Sequence, residues 1–192
     1  MLQDETVTEP PADLLPALRS RFSPVLFDTS ATISSAQLDV LLDAARRAPS
    51  AGNSQPWMFV AGVRGDAVHA RLLPYLARSS SAWAPTASLL VVNLAHVGVE
   101  GAPEWEYSEF SRYDLGQAVA YMSVQGLSMG LHAHQFRAFD RAAVAAEFSV
   151  PAHWEVTSMT AFGVAAHAPG ELSSPGTSRD RAALDEITWA RA

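Results

Sequence analysis

Two arginines near the end of the chain, Arg179 and Arg181 in "TSRDRAAL", stand at i and i+2. In an extended segment that spacing points both side chains the same way. Two guanidinium groups so placed could grip one phosphate; a surface charge pair is the plainer alternative. A second cluster lies in "RSRFSP", with Arg19, Ser20, Arg21 and Ser23 close together. It suits an anion, though a solvated helix terminus would read the same. The third stretch, "PSAGNSQPW" at 49–57, sets Ser50, Asn53, Ser54 and Gln55 between a helix and a strand. An ordinary loop of this kind needs about two to six residues, so this one is at the long end. It is also dense in groups that can bond a ligand, although alone it reads as a helix stop. "HAHQF" raises a metal: His132 and His134 at i and i+2 could share one on a strand. The pattern instead puts them at the end of a helix, with no acid cluster to complete a site. Without cysteine there is no thiolate nucleophile, disulfide or Cys metal site, and no G-x-S-x-G elbow occurs.

Composition narrows the classes. The 192 residues are 48% hydrophobic, enough for a core and for one domain or one protomer. The net charge of −7 argues against nucleic-acid or anionic-membrane binding. All basic residues are arginine. No stretch of about 18 apolar residues exists, so no membrane span is expected. The opening "MLQDETVTEPPADLL" lacks a basic region followed by an apolar one, and a cytoplasmic location is expected. Residues 1–11 read as a disordered tail and 12–192 as a single domain.

The elements that must position these groups follow from periodicity. "ADLLPALRSRF" reads as a short helix with Leu14, Leu15 and Leu18 on one face. "SSAQLDVLLDAARRA" is the clearest helix, with Ser34 and Gln37 as a capping box and Leu38, Leu41, Leu42 and Ala45 at helical spacing. "PWMFVAGV" reads as a strand, "GDAVHARLLPYLAR" as a helix kinked or ended at Pro74, and "ASLLVVNLAHV" as a buried strand. Residues 98–108 read as a loop. A long helix over about 111–131 carries Leu115, Ala118, Val119, Met122, Gly126 and Met129 on one stripe, with further apolar residues elsewhere. A helix so apolar must be buried, and Gly116, Gly126 and Ser128 would let another helix approach, in this short chain one from a second copy. "DRAAVAAEFSV" reads as a helix and "HWEVTSMTAFGVA" as a strand. The class is α+β or α/β, and no G-x-G-x-x-G follows a strand, which disfavours a dinucleotide-binding fold.

The order of the segments resembles the FMN-dependent nitroreductase family from about residue 17 to 187. The family's R-x-S-x-basic element is matched by "RFSPV" and its A-P-S-x-x-N-x-Q-P-W by "APSAGNSQPW". "YDLGQAVAYMSVQGLSMGL" matches its long central helix, "AHQFRAFD" its flavin-contacting turn, "AFG" a strand end, and Arg179 with Arg181 its late basic pair. The resemblance implies an α+β sandwich, a mostly antiparallel sheet flanked by helices, built as an intertwined homodimer with FMN at the interface. It implies that Arg21, Arg179 and Arg181 hold the FMN phosphate and that Ser23, after Phe22, bonds the flavin edge or ribityl. Gln135 and Phe136 would lie against the ring, with the N–H groups of Arg137 and Ala138 aimed at it. Pro49, Ser50 and Asn53 would reach across to the flavin held by the other protomer.

The implied activity is a ping-pong FMN-dependent oxidoreductase. NADH or NADPH delivers hydride, and a nitroaromatic, quinone or similar small-molecule acceptor then enters the same slot. No catalytic side chain is expected, because the cofactor carries the chemistry. Alternatives on the same fold are a flavin-sequestering protein and a specialised reduced-flavin enzyme. The chain departs from the family pattern at Val25, where a second basic residue is expected, at Arg137, often Glu, and at Ala138, usually Gly. Ser80 and Trp83 stand where some members have polar or basic flavin contacts.

Overall fold

The computed structural model describes residues 13–172 and 178–191; the expected disordered tail lies outside them. In chain order the elements are α1 (Pro16–Ser20), α2 (Ser35–Arg46), β1 (Trp57–Val63), α3 (Ala67–Leu72), α4 (Arg78–Ser81), β2 (Leu89–His96), β3 (Gly98–Val99), β4 (Ala102–Glu106), α5 (Ser111–Ser128), β5 (His132–Phe136), α6 (Arg141–Glu147) and β6 (Trp154–Gly163). Local signals explain the boundaries. The Ser34 hydroxyl accepts the Gln37 N–H at 3.2 Å while the Gln37 side chain accepts the Ser34 N–H at 3.0 Å, a reciprocal cap that starts α2. Pro74 stops α3 and leaves a 3-10 turn at Leu73–Tyr75.

Four strands form one sheet in the order β1-β2-β6-β5, every neighbour antiparallel. Helices cover both faces, so the fold is α+β with two cores. Leu89, Val91 and Ala95 of β2 pack toward α2 and α5, while Leu90, Val92 and Leu94 pack toward α3 and α6. A strand buried on both faces has no polar side to show, which is why "LLVV" reads as a continuous apolar run. Asn93 is the exception. Its side-chain amide donates to Thr160 Oγ1 at 2.9 Å and Ser158 Oγ at 3.1 Å, which satisfies both donors inside the sheet.

Four expectations change. Residues 98–108 are not a plain loop: β3 and β4 pair there as a small hairpin. His132 and His134 lie on β5, not at a helix end; α5 stops at Ser128, and Gly130 at φ 78° turns the chain into the strand. Gly126 admits no foreign helix: a Cβ there would stand 3.2 Å from the Phe162 ring of the same chain. Finally, α1 spans only Pro16–Ser20, so Leu14 and Leu15 precede the helix instead of sharing one of its faces with Leu18; the three are 58%, 61% and 43% exposed.

One close approach sets a testable limit. A Cβ on Gly62 would lie 2.5 Å from the His69 backbone nitrogen, because α3 packs directly on β1. Backbone cannot swing aside as a side chain can, so Gly62→Ala is expected to destabilise the fold by about 1–3 kcal/mol. Urea unfolding of the two proteins measures the loss; an equal midpoint would show that α3 is free to shift.

Candidate active site

Residues 21–25 leave α1 extended and are pinned by three histidines. The Phe22 ring is buried against His132 and His167, at centroid distances of 4.8 and 5.6 Å. His134 donates from Nδ1 to the Pro24 carbonyl at 2.8 Å, and the Val25 N–H donates to His167 Nε2 at 3.1 Å. The histidines thus fix a loop; among the described residues no group of three His, Cys, Asp or Glu could hold a metal.

Burying Phe22 leaves its neighbours for the opposite side. Arg21 and Ser23 line a cavity of about 360 Å³ with Gln135 of β5 and Ser123, Val124 and Leu127 of α5. The Arg21 guanidinium reaches Ser23 Oγ at 3.3 Å. From the far end of the chain, Arg179 returns to donate to the Arg19 carbonyl. Burial, then the charges of Arg181 and Arg179, hold the Arg21 guanidinium below its ordinary pKa; an arginine stays charged nonetheless. Among the described residues none of Arg21, Arg179 and Arg181 pairs with a carboxylate. Three cations that repel one another beside a cavity are suited to a multiply charged anion.

A model of the nitroreductase family matches residues 18–164. The chain belongs to that family. Solved structures agree in fold. An oxidoreductase containing FMN superimposes with a TM-score of 0.81 at 24% identity, over 94% of this chain and 93% of that one. A candidate nitroreductase from Desulfovibrio desulfuricans in complex with FMN gives 0.73 at 22% identity, over 96% and 99%. An FMN-dependent nitroreductase from Clostridium difficile R20291 gives 0.65 at 19% identity, over 80% and 88%. No functionally curated protein matches the chain.

This nitroreductase-family chain brings only part of the expected site together. Arg21, Ser23 and Gln135 share the cavity; Arg179 and Arg181 do not line it, though their charges act on Arg21 and Arg179 donates to the Arg19 carbonyl. The rings of Phe22 and Phe136 are buried: Phe136 packs on Trp83 and Phe139 in the second core, at 5.0 and 6.0 Å. Trp83 also lies over His134, with ring centroids 4.4 Å apart. Arg137 and Ala138 follow the end of β5; Arg137 is exposed, and the Ala138 carbonyl is taken by the Ala77 N–H at 3.0 Å and Ser80 Oγ at 2.5 Å.

Pro49, Ser50 and Asn53 lie elsewhere. Their loop is held at the start of α5 by buried Asp114, which accepts the Ala51 N–H at 3.0 Å, and by Gln117, whose amide donates to the Pro49 carbonyl at 3.5 Å. Ser50 Oγ accepts the Gln55 N–H at 3.0 Å, and Gly52, Asn53 and Gln55 all have positive φ. The cavity starts at Ala120, about one turn along α5 from Gln117, and runs past Ser123 to Leu127; none of residues 49–55 lines it. Asp114, Gln117 and Ser123 went unnoticed in the sequence. Asp114 alone carried a signal: an acid on the apolar stripe of a buried helix needs a donor.

The histidine pins make stability depend on pH. Burial first, then His167, lowers the pKa of His132; burial also lowers that of His134, against the bond to Pro24. A histidine whose folded pKa lies below its unfolded value of 6.5 binds more protons unfolded. Stability then rises with pH through that window and is lost on acidification below it. The melting temperature is expected to fall between pH 7 and 5, less steeply in His134→Gln, before carboxylates such as Glu155 begin to protonate. A flat profile across that window would show that the pins tolerate charge.

Proposed function

We propose that this protein is an FMN-dependent oxidoreductase that takes hydride from NADH or NADPH and passes electrons to a nitroaromatic, quinone or similar small acceptor. It would act as a homodimer in the cytoplasm. The observation that carries this reading is the convergence of Arg21, Arg179 and Arg181 from opposite ends of the chain, without carboxylate partners among the described residues. The donor set fits FMN. Three guanidinium groups suit a phosphate dianion, the Ser23 hydroxyl and Gln135 amide suit a polar ring edge or ribityl, and Leu18, Val124 and Leu127 supply an apolar wall.

When bound, FMN supplies two-electron hydride chemistry at its ring. The chain's residues bind and orient: the arginine cluster anchors one end, Ser23 and Gln135 set the rotation, and the α5 wall excludes water from one side. Ser123 donates to the Val119 carbonyl at 2.8 Å, so its hydroxyl proton is already committed. No side chain at the cavity is placed as an obligatory acid or base.

The homodimer rests on two observations. Loop 49–55 is built and anchored on α5, yet none of its residues lines the cavity of its own chain. A two-fold axis repeats both features, so each loop can serve the other copy's cavity. An apolar groove of about 540 Å³, lined by Leu15, Leu18, Tyr121 and Val124, also opens between α1, α2 and α5.

The test is direct. Purified protein should be yellow, with close to one FMN per chain, and anaerobic NADH or NADPH should bleach the flavin band. Adding a quinone or nitroaromatic should then restore it. Colourless protein that quenches no added FMN would refute the cofactor; bleaching by neither nucleotide would favour the sequestering alternative.

A further inference from the structure

Arg21 and Ser23 line the cavity, yet the segment that carries them hangs on few bonds. Further along, the chain pairs with residues 164–166. Phe27 and Ala165 form an antiparallel bridge, the Asp28 N–H donates to the Val164 carbonyl at 2.8 Å, and the Ala166 N–H donates to the Leu26 carbonyl at 3.1 Å. This ladder stops at Leu26. Among the described residues the peptide groups of 22–25 make two hydrogen bonds, and both go to imidazoles. The Pro24 carbonyl accepts from His134, and the Val25 N–H donates to His167, which directly follows the paired Ala166.

The two bonds differ in how they meet a proton. A backbone N–H can only donate, so the His167 Nε2 that receives it is unprotonated. The ring proton is then on Nδ1, which donates to the Ala168 carbonyl at 3.0 Å. A second proton would go to Nε2 itself, and an imidazolium has no acceptor left. His134 is the reverse case: it donates from Nδ1 to Pro24 at 2.8 Å and keeps that bond when charged. Of the two pins, only His167 is undone by protonation.

The surroundings give a charged His167 no partner. The Phe22 ring meets His167 at 5.6 Å and His132 of β5 at 4.8 Å. His132 would add a like charge, and its Nδ1 is buried without a hydrogen-bond partner among the described residues. Glu171, in the same turn as His167, already accepts the Ala168 N–H at 2.8 Å. Among the described residues no carboxylate forms an ion pair with His167. Val25 in turn is two residues from Ser23, on the same side of an extended segment, so a shift of its peptide reaches the cavity directly.

Resting on the FMN reading above, we propose that His167 is a positioning residue for the cofactor: neutral, it holds the Val25 peptide, and with it Ser23 and Arg21, in the register that binds FMN; protonated, it frees the segment and the flavin with it. Protons and FMN therefore compete, and mild acid empties the site before the protein unfolds. Histidine is the side chain that changes charge between pH 8 and 5, so the competition falls in that window.

The test measures FMN affinity by fluorescence quenching at pH 8 and pH 5.5, with circular dichroism at both to establish that the protein is folded. The phosphate of FMN has a second pKa near 6 and by itself costs about fourfold over this range. Wild type is expected to lose about tenfold more than that. His167→Gln carries an amide oxygen that accepts the Val25 N–H at either pH. It should match wild type at pH 8 and show only the fall of about fourfold. His167→Ala, with no acceptor, should bind weakly at both. A wild-type fall of fourfold or less overturns the proposal without any variant, and so does an equal fall in wild type and His167→Gln; FMN binding at pH 8 would stand in both cases. Failure of folded wild-type protein to bind FMN at pH 8 would overturn the cofactor reading as well.

Discussion

Replacing Arg21 and Arg179 together by alanine is expected to abolish retention of FMN through purification. Each charge-assisted hydrogen bond to a phosphate contributes roughly 1.5–3 kcal/mol. Removing two corresponds to a loss of roughly two to four orders of magnitude in affinity, less if the pair is not additive. The apo protein should not suffer. Arg21 is partly buried and repelled by its neighbours, and its side chain donates only to Ser23 Oγ at 3.3 Å, so the double variant should melt at or above the wild-type temperature without FMN. Fluorescence-quenching titration with FMN measures the first effect and calorimetry the second. Arg46→Ala, which removes an exposed ion pair with Asp43, is the control expected to change neither by much. If the double variant binds FMN as tightly as wild type, the cluster is a surface feature and the cofactor lies elsewhere.

The second large effect concerns assembly. Leu15→Arg should convert a dimer into monomer at micromolar concentration and lower FMN content with it. Leu15 is 61% exposed in one chain, and Tyr121 on α5 beside it is 47% exposed. Burying a leucine side chain is worth about 1.5–3 kcal/mol. In a two-fold interface each substitution counts twice, so roughly 3–6 kcal/mol is lost from dimerisation, about a hundredfold or more in the association constant. Light scattering with FMN quantitation on the same sample reads both. FMN should return at high protein concentration if, as proposed, loop 49–55 of a second copy completes the cavity. A wild-type protein that is a stable, FMN-loaded monomer would contradict the two-copy site.

Much of this protein could be read from its residues one segment at a time. The capping box of Ser34 and Gln37, the apolar stripe from Leu115 to Met122 and the unbroken run Leu89–Val92 are local patterns. A cap needs only three residues, and a buried strand needs only its own composition. The ordered motifs around Ser23, Asn53 and Arg179 marked the family for the same reason: a motif is a short string whose chemistry survives without its surroundings. Other features depended on partners far away in sequence. Gly130 at positive φ ended α5 early and turned the two histidines onto β5, where they face Phe22, Pro24 and Trp83 from more than forty residues away. Gly126 is small because Phe162 occupies the space, not because another helix does. Phe136 packs into the second core because the strand's alternation turns its ring there. Asp114 became the anchor of loop 49–55 only once α5 packed beside that loop. The physical reason is common to all of these. Hydrogen bonding and periodicity within a segment are encoded locally, whereas which face is covered, and by what, is fixed when long-range pairing brings separate segments within a few ångströms.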